Sequence, residues 1–328
     1  MTGLRDNPAV DNPMPMLIDT DPGVDDALAL LMAFEAANRE EIEVVALTVA
    51  AGNVGLRHTV ANALKLCEVA GVPVPVHAGC AGPLLHAAPD AAFVHGRDGF
   101  GDIDYAPAIT AAAGEHAALA ISRYSRARSG QLQLVMLGPL TNLALALKLD
   151  PELPQRIARI VVMGGAVSGQ GNTTVAAEFN IGFDPEAAHI VFEAFAGDGT
   201  PGIELVDWEV VLAHGIDHGD IDAWLRADSE RARFFERISR KTRAWSGERR
   251  GERWPCADAL AMALALRPDG AVETLHRPLA IELDGRLTRG ATVVDWQQRG
   301  ERQETVAILR RYDQTAFEAL VRGALAAR

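Results

Sequence analysis

At 328 residues, 48% hydrophobic and 23% charged, the chain is long enough for two average domains, yet α/β folds often use this length as one. Its 31 Lys and Arg against 44 Asp and Glu leave a net charge of -13, a surface that repels phosphate backbones and argues against a nucleic-acid partner. Three scattered cysteines, Cys67, Cys80 and Cys256, make neither a disulfide framework nor a CxxC metal motif, and no apolar run reaches the length of a membrane span, so a reducing cytoplasm is the expected setting.

The opening stretch, residues 1–14, contains Pro, Asn and Asp where a signal peptide needs an apolar core, and reads as a flexible tail ahead of one domain over 15–328. Met16–Asp19 is a short apolar run, followed by a Pro-Gly turn and a helical pattern over Asp25–Ala37. Glu43–Val49 is rich in β-branched residues and reads as a buried strand. A helix over Leu56–Ala70 closes at Gly71, and Val74–His77 is a third strand candidate. The segment 79–107, rich in Gly, Pro and Asp, reads as an irregular loop.

Helix returns over Glu115–Ala127. Gln133–Leu137 and Arg159–Met163 are apolar runs that end in glycine, at Gly138 and at Gly164–Gly165. Asp184–Phe195 is helical, Ile203–Val206 a strand, and Asp217–Trp245 an Arg-rich amphipathic helix. Ala257–Leu266 and Gln314–Leu325 are helices, with edge strands at Pro278–Leu283 and Thr292–Trp296 between them. Repeated βα units of this kind predict an α/β fold: an open, mostly parallel, Rossmann-like sheet flanked by helices in a single domain. In such sheets ligands bind beyond the carboxyl ends of the strands, and the motifs with chemistry fall there.

LIDTDPGVDDALALL places Asp19, Asp21, Asp25 and Asp26 within eight residues. Capping of a helix N-terminus accounts for one or two of these acids, since exposed amides and the macrodipole stabilise them. It does not account for four. Clustered anions repel unless some protonate or a cation neutralises them, and an all-oxygen set favours calcium or magnesium.

DTDPGVDDA closely resembles the N-terminal signature of the inosine-uridine preferring nucleoside hydrolase family. Further stretches match in order: TVAAGNVG with Asn53, HGRDGFG with His95, MLGPLTNLA with Leu137, GGAVSGQGNTTVAAEFNIGFDPEAA with Asn172, Glu178 and Asn180, and CADALAMALAL with Asp258. These matches span residues 16 to 266. The resemblance implies a calcium ion held by Asp21, Asp26, Asp258 and the Leu137 carbonyl. It implies a water activated on that ion by Asp21, and cleavage of a ribonucleoside into ribose and base through a ribosyl cation-like state. Asp25, Asn53, His95, Asn172, Glu178 and Asn180 would hold the sugar. A role in nucleoside salvage or catabolism and a homodimer or homotetramer are further implications.

Each residue also has a plainer reading. Asn53 and Asn172 sit in turn contexts, Asp258 opens a helix and can cap it, His95 lies in a glycine-rich loop, and Glu178 and Asn180 would share one face of a strand. The family often carries a histidine, a proton donor to the departing base, where this chain has Ala257. Stacking by Trp254 or Trp245, acid catalysis by His95, or a leaving group needing little protonation are the alternatives. Two rivals remain: a ribose or nucleoside binder without turnover, favoured by Ala257, and a phosphatase resembling the haloacid dehalogenases, whose paired aspartates Asp19 and Asp21 imitate. Pro22 and the sparse lysines Lys65, Lys148 and Lys241 disfavour the latter.

Overall fold

The computed structural model describes residues 13–87, 91–300, 303 and 305–327. Residues 1–12 of the expected tail lie outside the described residues, and Met14 already belongs to the first strand. The first half of the chain runs β1 (Met14–Thr20), α1 (Val24–Asn38), β2 (Ile42–Val49), α2 (Leu56–Ala70), β3 (Val76–Ala78), α3 (Ala92–His95), α4 (Ala117–Ala127), β4 (Leu132–Met136), α5 (Thr141–Leu149) and β5 (Ile157–Met163). There follow α6 (Phe179–Phe183), α7 (Pro185–Ala194), β6 (Ile203–Val206), α8 (Trp208–Ala213), β7 (Ile216–Asp217), α9 (His218–Trp224) and α10 (Glu230–Arg250). The chain ends through β8 (Arg253–Trp254), α11 (Ala257–Leu266), β9 (Ala271–Arg277), β10 (Leu279–Ile281), β11 (Thr292–Val294), β12 (Val306–Tyr312) and α12 (Gln314–Ala326).

Eight strands form one sheet in the order β3-β2-β1-β4-β5-β6-β12-β9, parallel throughout except for β9, which runs against β12. The expected α/β architecture is therefore present: one domain with helices on both faces of a mostly parallel sheet. β1 and β4 are neighbours although β2 and β3 lie on the other side of β1. The winding reverses between them, and a crevice opens beyond their carboxyl ends.

Central strands of such a sheet are covered on both faces, and β1 is buried from Pro15 to Thr20. Two helices are sunk in the same core. Every residue of α11 is buried, and α1 is buried around most of its circumference, so neither shows a clear amphipathic stripe. They pack on each other through Ala and Leu side chains, and small residues let the two backbones approach closely. Both start near the crevice. Among the described residues no helix is long and apolar enough to cross a membrane.

Several expectations are corrected. The expected helix over Asp217–Trp245 is two helices, because the Ser229 side chain accepts from Ala232 N and starts α10 anew. The expected edge strands, Pro278–Leu283 and Thr292–Trp296, pair with each other as β10 and β11 in a separate two-stranded sheet. The true edge is β9 beside β12. Exposed Glu273 and His276 in β9, and half-buried Arg310 with exposed Arg311 in β12, hid the apolar alternation. Glu178 and Asn180 lie on no strand: the Glu178 carboxylate caps α6 by accepting from Asn180 N and Ile181 N.

Candidate active site

A cavity of about 740 Å³ opens over the crevice, with a lining that includes Asp25, Asn53, His95, Leu137, Asn172, Glu178, Asn180, Trp254 and Asp258. Nine residues singled out from sequence as metal- or substrate-binding thus face one space, large enough for a small ligand. Asp21 and Asp26 are buried beside it.

Three of the acids meet, Asp21 lies beside them, and Asp19 stands apart. Asp25 and Asp26, in the first turn of α1, meet Asp258, in the first turn of α11, with one carboxylate oxygen of each within 4.8 Å of the others. The abutting helices bring two N-termini side by side, and their exposed amides temper the repulsion among these carboxylates. Burial and the neighbouring charges of Asp26, Asp25 and Asp21 push the Asp258 carboxyl well above its usual range. Asp25 and Asp26 are also raised, chiefly by burial. Asp25 Oδ1 is buried without a hydrogen-bond partner.

Asp26 also serves the helix, as the capping reading expects: its Oδ2 accepts from Gly23 N (3.0 Å) and Asn53 Nδ2 (3.0 Å), and its Oδ1 from the Thr20 hydroxyl (2.5 Å). Asp258 makes no such side-chain cap.

Asp21 stands next to this trio. Its Oδ2 accepts from Asn53 N (2.7 Å), its backbone carbonyl accepts from Asn53 Nδ2 (3.1 Å), and burial followed by the charge of Asp26 raises its pKa well above the usual value. Its carboxylate is wedged between Gly52 and Gly138, where a Cβ would lie under 3.0 Å from Asp21 side-chain atoms. Asp19 is held elsewhere. Its Oδ2 accepts from the Thr48 hydroxyl (2.6 Å) and Asn142 Nδ2 (2.9 Å), and burial pushes it up to about 7. The four acids that look like one cluster in sequence are therefore sorted by the end of β1 into a prop and a site.

The remaining candidates are fixed by backbone contacts. Asn180 Nδ2 donates to the Leu137 carbonyl (2.7 Å) and, more weakly, to that of Met163 (3.3 Å), tying the ends of β4 and β5 together. His95 is buried, not exposed as its glycine-rich loop suggested. Val24 N donates to its Nδ1 (3.1 Å), its Nε2 lies 4.0 Å from Asp25 Oδ1, and burial lowers it to about 4. It is neutral at pH 7 and latches α3 onto α1. Gly23 is required beneath it, because a Cβ there would meet His95 Nδ1 at 2.7 Å and Asn53 Nδ2 at 2.9 Å. Asn172 is exposed on the cavity wall. Trp254 lines the cavity while its ring stacks on Phe235 (centroids 6.1 Å, 28° between planes).

Glu178 is almost fully buried and accepts from Gly165 N (2.9 Å), Asn180 N (2.9 Å) and Ile181 N (3.2 Å), yet desolvation outweighs these bonds and lifts it to about 7. The folded state holds this proton above the pH where the unfolded chain loses it, near 4.5. Stability from Glu178 is therefore full below 4.5 and declines as pH rises to 7, by on the order of 3 kcal/mol at most. Glu178→Gln is expected to flatten the fall in melting temperature between pH 5 and 8; an unchanged slope would assign that fall to other groups.

Several lining residues had no signal in sequence: Phe93, Trp208, Thr242, Arg249 and Arg250. Trp245, named beside Trp254, also lines the cavity, and its neighbours at i-3 and i+4 to i+5 show that one face of α10 turns toward it. Two of the three lysines are held away from the paired aspartates, Lys65 by Glu68 (2.5 Å) and Lys241 by Asp102 (2.8 Å), and Lys148 is exposed on α5.

Residues 16–319 match a family model described as inosine-uridine preferring nucleoside hydrolase. The inosine-uridine preferring nucleoside hydrolase of Leishmania major is 33% identical over 332 residues, covering 95% of this chain and 98% of that one. Uridine nucleosidase 1 of Arabidopsis thaliana is 43% identical over 192 residues, and that match spans 58% of this chain but only 56% of the relative. A solved structure described as an inosine-guanosine nucleoside hydrolase superposes with a TM-score of 0.88 at 30% identity, over 96% of this chain and 99% of the other.

Proposed function

The chain belongs to the inosine-uridine preferring nucleoside hydrolase family, and from that premise we propose that it is a calcium-dependent ribonucleoside hydrolase in which Asp21 takes the proton of the attacking water. The observation that carries this reading is the convergence of Asp25 and Asp26 with the distant Asp258 at the buried floor of the cavity. Carboxylates gathered so closely fit a hard divalent cation, and the absence of sulfur or imidazole from the trio fits calcium or magnesium over zinc. Calcium's tolerance of irregular oxygen sets suits a mixture of carboxylates and a backbone carbonyl.

Asp21, Asp26, Asp258 and the Leu137 carbonyl would hold the ion. A divalent cation held there would offset the charge of the cluster and supply Lewis-acid chemistry, making a nearby water more acidic.

The chain's own residues do the rest. Asn53, through its backbone N–H, fixes the Asp21 carboxylate beside the trio, and with the cluster's charge offset an ionised Asp21 would take the proton of the water. Asp25, His95, Asn172, Glu178 and Asn180 surround the sugar so that its anomeric carbon faces the water. As the C1′–N bond breaks, positive charge grows on the ribosyl ring, and the negative potential of Asp25 favours that state. Water's oxygen joins C1′, its proton passes to Asp21, and the base departs with the bonding electrons.

Ribose release from a panel of nucleosides, with and without a chelator, tests the reading. Chelation is expected to lower kcat/KM by about 100-fold or more, and added calcium to restore it. Undiminished turnover in chelator would refute the metal role. Binding without ribose release identifies a non-catalytic member, and phosphate release from phosphorylated substrates a phosphatase.

A further inference from the structure

The cavity's two ends differ in character. Its floor is buried and acidic, whereas its rim carries Phe93, 70% exposed, together with Trp245, Arg249 and Arg250, and the buried Trp208 lines the wall beneath. Phe93 and Trp245 meet edge to face, with centroids 6.1 Å apart and planes at 67°. The Arg250 guanidinium carbon lies 4.8 Å from the Trp208 ring centroid and 5.5 Å from that of Trp245.

Four other arginines of α10 pair with carboxylates, Arg231 with Glu35, Arg233 with Asp228, Arg240 with Glu236 and Arg243 with Asp222, whereas Arg237 and Arg249 make no ion pair among the described residues. Arg250 pairs with no carboxylate among the described residues, in a chain with an excess of acids. Arg250 is exposed to solvent on one side, and desolvation on the other lowers its pKa. Favourable charge at a helix C-terminus explains an arginine in the last turn, but it does not require the guanidinium to lie over two indoles facing a cavity. A guanidinium held by ring faces keeps its fork of N–H donors free for a ligand.

Resting on the nucleoside-hydrolase reading above, we propose that Arg250 contacts the leaving base, donating paired hydrogen bonds to the adjacent O6 and N7 acceptors of a 6-oxopurine. The rim thereby supplies what Ala257, at the start of α11 on the same cavity wall, cannot. The C1′–N bond breaks with both electrons on the base, and the charge spreads onto O6 and N7. The guanidinium stabilises it there while keeping its own protons. The base then takes a proton from solvent, balancing the one that water gave to Asp21. Adenine presents an amino donor where a 6-oxopurine presents O6, so the same fork disfavours adenosine.

The test compares inosine, adenosine and 4-nitrophenyl riboside, whose leaving group needs no help, in the calcium-loaded wild type, Arg250→Met and Arg250→Lys. In Arg250→Met the ratio of kcat/KM for inosine to that for nitrophenyl riboside is expected to fall about 30-fold, with a parallel loss of preference for inosine over adenosine. Arg250→Lys, which keeps the charge, is expected to recover part of the ratio. Ratios within about three-fold of wild type in both variants overturn the proposal, as does an equal decline on inosine and adenosine. A wild type that cleaves nitrophenyl riboside but not inosine overturns the base contact alone. One that cleaves neither overturns the reading of the cavity floor as well.

Discussion

Asp21→Ala is expected to lower kcat/KM on ribonucleosides by on the order of 10³-fold or more while the protein still folds. The substitution removes the proton acceptor and one of the proposed cation contacts together, and no other carboxylate stands in the same position. Asp25, Asp26 and Asp258 form the trio beside it, and Asp19 is occupied by Thr48 and Asn142. The fold tolerates the loss because Asp21 is a burden in the absence of a cation: burial and the Asp26 charge both disfavour its ionised form. Removal leaves Asn53 N without its acceptor, a cost of about 1–3 kcal/mol, offset by the relieved repulsion. Ribose release and thermal melting, measured on the same preparation, check both halves. Near-normal turnover would refute Asp21 as the base, and an unfolded variant would show that its role is structural.

Gly138→Ala is expected to cripple the site without touching any proposed ligand side chain. The backbone at Gly138 is not left-handed, so the requirement for glycine is one of space. A Cβ there lies under 3.0 Å from the Asp21 carboxylate and 3.2 Å from its backbone nitrogen. The carboxylate cannot retreat, because Gly52 allows it no room on the other side either. A displacement of about an ångström is enough to cost about 100-fold in rate, and that is the expected loss in kcat/KM. Overpacking of this kind destabilises by about 1–3 kcal/mol, so melting should shift by several degrees and remain cooperative. Turnover within a few-fold of wild type would show that Asp21 can move without consequence, contrary to its assigned role.

The parts of this molecule legible in its sequence are those with local causes. The apolar run that became β1, the Pro-Gly turn and the acids opening α1 lie within a dozen residues, and their order alone marks a strand end followed by a helix start. The glycines after β4 and β5 signalled the crevice, and the ordered motifs from Asp21 to Asp258 pointed to the family whose model matches residues 16–319. Other features were hidden for definite reasons. The strands β9 and β12 carry charged side chains on exposed positions, which blur the period of two. Glu178 reads as strand by alternation, but its carboxylate satisfies two free helix amides more favourably.

What the sequence determined by itself is the supply of parts: a strand that ends in aspartates, two Ala- and Leu-rich helices with acids in their first turns, and an all-oxygen donor set. Which parts meet was decided only in three dimensions. Asp258 joins Asp25 and Asp26 because α1 and α11, both largely buried, pack against each other and start at the same crevice. Asp19 is drawn away to Thr48 and Asn142, and Arg250 is left facing Trp208 and Trp245 instead of a carboxylate. Local pattern specifies which face of an element is apolar. The partner for that face is chosen by close packing among segments far apart in the chain, and side chains at the element ends go wherever that packing carries them.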